Sequence, residues 1–580
     1  MESGQKIARA LSDLTLRRAV WLVAALCAAV LVPWLGETLF NTKGEPREAI
    51  VAVSMLQSGD WVLPVSFGGD IPYKPPFLAW CIAVVSWIAG GVGEYTSRLP
   101  SALAAIALAV ATQRWVRRGG ASAAASVVTA LLTVSCFEVW RAASACRVDM
   151  VLTFFMASAM MVLAGYVSGQ MRRLPWGAVA LMTCAVLTKG PVGMLLPCLV
   201  AGVYGLIIGR RFWPLFWRLA LTGLLSLLVP ALWYVAAWHR GGDEFLRLAI
   251  EENFGRMTGT MSYESHVQPF WYPILTLIWG WVPYTLLALM ALTIVKWRGI
   301  LPDRESFSPS RLLARLRSLP PLTLYSVVAA VVITLFFCIP KSKRSVYLLP
   351  AYPFIGYLMM LMVERVRRMR PMRWFAALMA SLCILLPAAV WIAAALPGSV
   401  EAAMSPRTAM QFEAVTSAAL SPNGVWALPL CLVIGLWGWS EIRRKAARRL
   451  TSVMLACVIT ILATLSAAIL PPVLSTKSDL PLAQSVIDAE AAGPVYEYHT
   501  DPLIRYYTVN FYLGDRMRLF SREMPEHGWL LIDGPDIDSW REEYENDYTL
   551  TEVSQWRQRS CDTRRLPHLM RFARRPDASL

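Results

Sequence analysis

Long apolar runs recur along this 580-residue chain from residue 19 to residue 471, and they constrain its fold more than any other feature. Each run has about 20 residues, the length that an α-helix needs to cross roughly 30 Å of hydrocarbon. Hydrophobic residues make up 56% of the chain and charged residues only 16%, whereas soluble proteins carry about 25% charged residues. The sequence therefore predicts a polytopic α-helical membrane protein.

The basic residues stand in short clusters between about fourteen apolar runs, which is typical of topology signals and not of a nucleic-acid-binding face. If every cluster faces the cytoplasm, an even number of crossings must separate neighbouring clusters. Three runs, 19–40, 77–92 and 98–116, lie between Arg18 and Arg117. We interpret the shortest, 77–92, as an interfacial or re-entrant helix. This predicts about thirteen spans, with the N-terminus in the cytoplasm and the C-terminus outside.

The stretch from Asn41 to Pro76 follows the first apolar run on the outer side and is dense in ionisable groups, including Glu45, Arg47 and Lys74. Its many glycines and prolines predict a shaped loop rather than a long helix. An ordered, charged loop against a membrane is the first candidate for chemistry. The alternative interpretation is a solvated connector between two spans.

The same topology places further polar residues on the outer face. They are Arg147 and Asp149 where a span begins, Lys189 between two runs, His266 in the segment 239–269, and Lys341, Lys343, Arg344 and Tyr347 in one short stretch. The basic cluster 341–344 contradicts the inside-positive bias, and a phosphate-bearing ligand would account for it. Anionic head groups are the alternative ligand. Lys189 could instead snorkel to the head groups and Asp149 could cap its helix, and His266 could be structural.

Carboxylates and cations on one outer face suit the transfer of a group from a lipid phosphate. Fixed cations stabilise the charge that develops on a phosphate leaving group. A carboxylate can deprotonate an acceptor hydroxyl or stabilise a developing cationic sugar ring.

Eight stretches between about residues 20 and 355 resemble one known family and occur in its order. They are GEPREAIVAVSMLQSGDWVLP, DIPYKPPFLAW, YTSRLPSALAA, RVDMVLTFF, LTKGPVGMLLP, ENFGRM, HVQPFWY and KSKRSVYLLPAYP. The family is that of the polyprenyl-phosphate-mannose protein mannosyltransferases, in its bacterial branch of lipid A aminoarabinose transferase-like enzymes of the GT-C superfamily. The resemblance implies a GT-C fold with about thirteen transmembrane helices, membrane-lying helices in the first outer loop (41–96), and a polyprenyl-phosphate-linked sugar donor.

The resemblance also implies roles for single residues. Glu45 and Asp149 correspond to the family's catalytic acids, and the residues on the substrate side are Arg47, Lys74, Lys189, Arg256, His266, Lys343 and Tyr347. Lys74, Arg256 and Tyr347 fall where the family places contacts to the donor phosphate.

Three positions depart from the family pattern. Gly44 stands where the family has an Asp, Tyr73 where the aminoarabinose enzymes have a Glu, and Glu251 where they have a metal-binding His. A divalent metal is therefore possible as a cofactor, but no metal site is predicted. The same departures leave the identity of the sugar open.

Residues 472–580 change in composition, with short apolar stretches such as PVYEYH and WLLIDGP bounded by Gly, Pro and Asp. We expect a small periplasmic α/β domain there, without metal-ligand spacing and suited to shielding or acceptor docking, after a transmembrane glycosyltransferase domain at 1–471.

The predicted function is transfer of a sugar from a polyprenyl (undecaprenyl) phosphate donor to a lipid A-type glycolipid or other envelope acceptor. The reaction would take place on the periplasmic face of the bacterial inner membrane. The alternatives are a transporter or flippase of lipid-linked sugars, a protein O-glycosyltransferase, and a structural subunit of an envelope assembly.

Overall fold

The computed structural model describes residues 16–72, 74–255, 266–294, 308–396, 398–444, 449–489, 493–501 and 503–576. Within these ranges, helices fill the chain up to residue 488, and all five strands of the one sheet follow. Long apolar stretches leave only helices as a way to pair every backbone group inside a bilayer. The predicted class, a polytopic helical protein with a small C-terminal sheet, is confirmed.

Eight helices among the described residues are long and apolar enough to cross a membrane. They are Glu94–Arg118, Val148–Ser168, Phe212–Asn253, Pro321–Cys338, Ser345–Val366, Arg370–Ala394, Gly424–Arg443 and Leu450–Ser475. Two pairs of helices, Ala123–Val134 with Phe137–Ala143 and Tyr272–Gly280 with Tyr284–Leu292, are bent by 69° and 103° and raise the number to ten if each is one span. The chain is a multi-pass membrane protein.

The count of about thirteen spans stays a prediction, because three further apolar helices are short. Phe77–Ala89, Trp176–Lys189 and Val192–Ile207 have 13, 14 and 16 residues, and at about 1.5 Å per residue none extends over the full ~30 Å of hydrocarbon. This length agrees with the interpretation of 77–92 as a segment that does not cross.

The remaining helices are shorter pieces or parts of the bent and merged spans. They are Leu16–Leu31, Pro46–Ser58, Phe212–Ser226, Leu228–Ile250, Pro309–Arg317, Tyr352–Val366, Gly398–Ala402, Pro406–Ser417, Leu450–Thr464, Leu470–Ser475, Leu480–Asp488, Tyr507–Tyr512, Phe520–Glu523 and Gly534–Tyr544, with π-helical turns at Glu251–Gly255 and Leu465–Ile469 and a 3₁₀ helix at Ser345–Ala351.

The first helix ends at Leu31, well before residue 40, where the apolar run ends. Pro33 lacks the backbone N–H that a further turn would need, so residues 32–45 form turns beside the bundle. The first outer loop also contains a 13-residue helix, Pro46–Ser58, with Pro46 in its first turn and Gly59 at its C-cap with φ 71°. The glycines and prolines predict a shaped loop and the family resemblance implies helices within it; Pro46 and Gly59 mark the two ends of the helix that forms.

The C-terminal sheet has the strand order β2-β1-β3-β5-β4. The strands are β1 Val495–Tyr498, β2 Met517–Leu519, β3 His527–Asp533, β4 Tyr548–Gln555 and β5 Pro567–Arg574. β1 is parallel to both β2 and β3, while β5 is antiparallel to β3 and β4. Successive side chains point to opposite faces, and each face carries its own apolar core.

The sheet domain is docked on the first outer loop through the buried carboxylate of Asp515. Asp515 Oδ1 accepts hydrogen bonds from the Phe67 N–H at 2.9 Å and from Asn510 Nδ2 at 2.8 Å. Its Oδ2 accepts from the Ser54 hydroxyl at 2.9 Å. One side chain of the C-terminal domain therefore binds both the helix and the turn of the loop.

Replacing Asp515 by Ala is expected to lower the melting temperature of the purified protein. The change leaves buried donors without an acceptor, which costs about 1 to 3 kcal/mol per group. Asp538→Ala is the matched control, because the Asp538 side chain is 87% exposed. Equal melting temperatures for the two variants in a thermal-unfolding assay would contradict this account of the docking.

Candidate active site at the first outer loop

Glu45 lies immediately before the helix Pro46–Ser58 and is buried, with 8% of its surface exposed. Arg98 donates from Nε to Glu45 Oε1 at 2.8 Å and from Nη2 to Oε2 at 3.1 Å. The Cys146 N–H donates to Oε1 at 2.8 Å. Arg98 also donates to the carbonyls of Leu35 and Thr38. A bidentate pair of this kind fixes the orientation of the carboxylate.

The charge of Glu45 survives its burial because of this pairing. Burial by itself raises the pKa of the carboxyl, but the positive charge and hydrogen bonds of Arg98 lower it more, and Arg147 adds to this. The pKa of Glu45 therefore lies below its ordinary value, and the group is anionic at neutral pH.

Gly44 explains how Arg147 reaches this position. The guanidinium of Arg147 lies directly over Gly44, and a Cβ added there would collide with it. A side chain at position 44 would therefore require the Arg147 guanidinium to move. The positive charge of Arg147 acts on Glu45 and on Glu48.

Lys74 and Glu48 form a second ion pair, in which Nζ of Lys74, from the later part of the loop, is hydrogen-bonded to Oε1 of Glu48 on the helix Pro46–Ser58. Arg47 Nη2 lies 3.7 Å from the same oxygen. Burial raises the pKa of Glu48, but the charges of Lys74 and Arg47 lower it further, to below its ordinary value. Burial lowers the pKa of Lys74 to about 8, although Glu48 opposes this. Lys74 is thus a cation whose charge changes close to physiological pH.

Asp149 and Lys189 form a third pair, with Lys189 Nζ 2.5 Å from Asp149 Oδ1. Asp149 lies in the first turn of the helix Val148–Ser168, where a carboxylate is favoured by the helix dipole. The Lys189 ammonium lies 4.5 Å from the centre of the Tyr347 ring. Arg147 and Arg344 also interact electrostatically with Asp149. Arg147 therefore interacts electrostatically with the loop residues Glu45 and Glu48, with Asp149 and with Arg344, and Asp149 connects this group to Lys189 and Tyr347.

Two of the other predicted residues take part in a different contact. The Lys343 N–H donates to the His266 carbonyl, and Lys343 Nζ donates to the Gln268 carbonyl, both at 2.9 Å. Lys343 is buried and fastens the segment 266–268 to the stretch 341–343. Its assignment to phosphate, like that of His266, stays a prediction, and Arg256 lies outside the described residues.

A cavity of about 350 Å³ opens beside Glu45. Its polar part contains Glu45, Arg98, Arg141 and Arg147, and its apolar walls include Leu31, Trp34, Phe137, Trp140, Leu470 and Leu474. A smaller cavity of about 30 Å³ is lined by Glu48, Lys74 and Trp233. Cations and carboxylates thus stand next to apolar walls, an arrangement that fits an amphipathic ligand with an anionic group.

The metal ligands that the family resemblance implies are not matched in this sequence. Tyr73 and Glu251 stand where the related enzymes place a carboxylate and an imidazole. A phenol replaces one ligand, and the imidazole that suits zinc best is missing.

Comparison with known proteins gives several relatives, although no family model matches the chain. An uncharacterized protein of Aquifex aeolicus is 28% identical over 329 residues, which are 56% of this chain and 60% of that protein. The undecaprenyl phosphate-alpha-4-amino-4-deoxy-L-arabinose arabinosyl transferase of Edwardsiella ictaluri is 27% identical over 340 residues, 58% of this chain and 57% of that enzyme. The chain spans 57 to 60% of the length of these two relatives.

A solved structure matches almost the whole chain. The crystal structure of ArnT from Cupriavidus metallidurans bound to undecaprenyl phosphate superimposes with a TM-score of 0.64 and 21% identity, covering 95% of this chain and 97% of that one. The chain has the GT-C fold. The resemblance to GT-C glycosyltransferases that the sequence indicated is confirmed.

Within the GT-C fold, the structure brings together most of the residues that the sequence singled out. Glu45, Arg47, Lys74, Asp149, Lys189 and Tyr347 lie in the linked ion pairs around Arg147. Sequence reasoning missed Arg98 as the partner of Glu45. An arginine at the edge of an apolar span was the available signal, since such a charge is rarely placed there without a partner. The sequence places Arg147 on the predicted outer face but indicates no role for it.

Replacing Gly44 by Ala is expected to displace the Arg147 guanidinium and to lower the melting temperature. The contacting atoms are the far end of a flexible side chain and can shift, so the loss comes from the Arg147 charge that no longer supports Glu45 and is about 1 kcal/mol. Gly91→Ala is the matched control, because a Cβ at Gly91 meets no atom of the described residues within 4 Å. A Gly44→Ala protein with the same melting temperature as the wild type would contradict the contact between Gly44 and Arg147.

Proposed function

We propose that this protein is an integral-membrane glycosyltransferase that moves a sugar from a polyprenyl phosphate to a lipid A-type glycolipid or another envelope acceptor. The reaction takes place on the periplasmic face of the bacterial inner membrane, with the N-terminus cytoplasmic and the C-terminal domain periplasmic. The observation that carries the proposal is the cluster of three carboxylate–cation pairs, Glu45–Arg98, Glu48–Lys74 and Asp149–Lys189, around one outer loop. The name of the Edwardsiella ictaluri relative, an undecaprenyl phosphate-alpha-4-amino-4-deoxy-L-arabinose arabinosyl transferase, supports the donor class.

The cations account for departure of the lipid phosphate. When the bond between the sugar and the phosphate breaks, negative charge develops on the phosphate oxygens. Lys74 and Arg47 lie on the first outer loop, and Lys189 lies under Tyr347. Their ammonium and guanidinium groups can donate charge-assisted hydrogen bonds to these oxygens.

The low pKa of Glu45 limits what this residue can do. A carboxylate that is held anionic by Arg98 and Arg147 is a weak base, because base strength falls with pKa. It is better suited to stabilising the positive charge that develops on the sugar ring as the phosphate leaves. An acceptor that is already anionic, such as a phosphate group, needs no base. The site therefore favours a phosphate acceptor over a neutral hydroxyl.

The cavity beside Glu45 supports an acceptor with the same properties. Arg98, Arg141 and Arg147 provide positive charge at one part of it, and the walls are tryptophan, phenylalanine and leucine side chains. A glycolipid with a phosphate head group and acyl chains matches both parts. A protein acceptor would have no need of apolar walls on this scale.

Glu45→Gln and Lys74→Ala are expected to reduce sugar transfer at least about 100-fold, the effect of removing one transition-state contact. The assay is turnover of a short-chain polyprenyl-phosphate sugar by the purified protein without a membrane gradient. Glu37→Gln and Lys43→Ala change exposed residues of the same loop region and should retain activity. Wild-type rates in either site variant, with unaltered melting temperature, would remove the site from the mechanism. A protein that moves the lipid but never transfers the sugar would be a flippase.

Binding of the lipid phosphate is expected to weaken as the pH rises through about 8. The pKa of Lys74 is about 8, so Lys74 is charged below this pH and neutral above it, and the neutral amine loses its attraction for phosphate. Above the pKa, affinity should fall by up to tenfold per pH unit. Lys74→Arg is the control, since its guanidinium stays charged. A wild-type binding curve for undecaprenyl phosphate that is flat between pH 7 and 9.5 would contradict the role of Lys74.

A further inference from the structure

A second cluster of ionisable residues lies inside the C-terminal domain, apart from the site described above. Glu497 is on β1 and His499 follows that strand, while Asp533 ends β3 and Asp536 lies in the first turn of the helix Gly534–Tyr544. β1 and β3 are parallel neighbours, so their carboxyl ends meet at one edge of the sheet. The four side chains are buried, with exposed fractions of 0 to 2%.

The imidazole of His499 stands in the middle of these carboxylates. Its Nδ1 lies 3.7 Å from Asp533 Oδ2 and 3.6 Å from Asp536 Oδ2, and its Nε2 lies 3.5 Å from Glu497 Oε2. Among the described residues, neither ring nitrogen of His499 has a hydrogen-bond partner, and Asp533 Oδ2 has none either. Buried polar atoms without partners are costly and rare in native proteins.

The other oxygens of these carboxylates are held by neighbours. Asp533 Oδ1 accepts from the Tyr506 hydroxyl at 2.6 Å and from the Thr563 hydroxyl at 3.0 Å. Asp536 Oδ1 accepts from the Thr500 hydroxyl at 2.7 Å, and Arg565 donates to both Asp536 oxygens. The carboxylates are therefore oriented by an outer set of hydrogen bonds, with one oxygen of each directed towards His499.

We propose that His499 Nδ1, Asp533 Oδ2 and Asp536 Oδ2 bind a divalent transition metal ion, most favourably Zn²⁺. The three atoms lie within 4.8 Å of one another. Ligands that are each about 2.0 to 2.1 Å from a shared zinc ion stand roughly 3.3 to 3.6 Å apart, close to the separations observed here. One imidazole with carboxylates is a donor set that zinc accepts and that magnesium and calcium disfavour.

Glu497 completes the arrangement as the partner of the second ring nitrogen. A metal-bound histidine typically donates its other N–H to a carboxylate, which fixes the tautomer and the ring orientation. Glu497 Oε2 is placed for this contact, and it also accepts from the Tyr506 N–H at 3.0 Å. The sequence interpretation found no metal spacing here because the ligands come from separate strands and a helix.

A proton on His499 is the competing explanation. Although burial disfavours the charged ring, Asp536 and Glu497 raise the pKa of His499 to about 9. An imidazolium hydrogen-bonded to carboxylates would stand about 2.7 to 2.9 Å from them. The separations of 3.5 to 3.7 Å are longer and leave room for an ion between the groups.

The proposed ion is enclosed and has a structural role. Arg505 Nε lies 3.4 Å from Glu497 Oε1 and 3.2 Å from Asp70 Oδ2 of the first outer loop. Fixing β1, β3 and the helix Gly534–Tyr544 through one ion therefore also fixes the arginine that joins the domain to this loop. Metal binding is expected to raise the melting temperature of the folded chain.

The test uses the full-length protein in detergent, treated with a chelator and then titrated with ZnCl₂. We expect one zinc ion per chain by elemental analysis and a higher melting temperature with zinc. His499→Gln and Asp536→Asn should lose the ion, and Glu497→Gln should weaken zinc affinity about 10- to 100-fold, the usual effect of removing an outer-shell partner. His568→Gln is the matched control, because His568 pairs with Glu552 elsewhere in the same domain and should retain wild-type zinc.

Two results would overturn the proposal. One is a folded wild-type protein that retains no zinc and whose melting temperature does not respond to it, which assigns the cluster to a protonated His499. The other is zinc that stays at the wild-type level in His499→Gln, which places the ion elsewhere in the chain. If His499→Gln does not fold, the same comparison is made with Glu497→Gln, where wild-type affinity would equally overturn the site.

Discussion

A buried carboxylate beside a lipid bilayer must be paired, and the pairing of Glu45 with Arg98 joins the start of the loop helix to a spanning helix. An unpaired charge in this place would be neutralised or would unfold its surroundings. Arg98 is carried by the spanning helix Glu94–Arg118, and it also binds the carbonyls of Leu35 and Thr38. One side chain therefore fixes the turns after the first helix and the start of the loop helix. The Arg147 guanidinium, whose charge also acts on Glu45, lies in the space that a side chain at Gly44 would fill.

The first outer loop is also the platform for the C-terminal domain. The buried carboxylate of Asp515 accepts hydrogen bonds from two residues of the loop. Arg518 and Arg522 lie over Gly68 and Gly69, where an added Cβ would collide with them. Gly68 also has φ 71°, a conformation that glycine adopts without strain. Close neighbours thus explain three of the glycines that predicted a shaped loop. Gly44 lies against Arg147 of the membrane part, and Gly68 and Gly69 lie against the two arginines of the sheet domain. Chemistry and domain docking share one short stretch of chain.

The sequence predicted the fold class and much of the candidate site, for reasons that can be traced to particular residues. Asp149, Lys189 and Tyr347 stood out because charged or polar groups at the ends of apolar runs are few and needed an explanation. Arg98 escaped notice because its partner is far away in the chain, and no local pattern connects it with Glu45. The apolar run 19–40 predicted a first helix that extends further than the observed one, because Pro33 ends the helix while the residues around it remain apolar. The span count of thirteen rests on charge parity and stays a prediction.

The sequence by itself determined that this chain is a bundle of membrane-spanning helices with a polar outer loop, because apolar runs of this length have no other way to satisfy their backbone in lipid. It also determined which charged residues lie at the ends of those runs. Only the tertiary structure decided which charge meets which: Glu45 with Arg98, Glu48 with Lys74, Asp149 with Lys189, and His499 with three acids of the sheet domain. The physical reason is that ion pairs act over a few ångströms. Helix packing, and strand pairing in the sheet domain, bring such distant residues to that range.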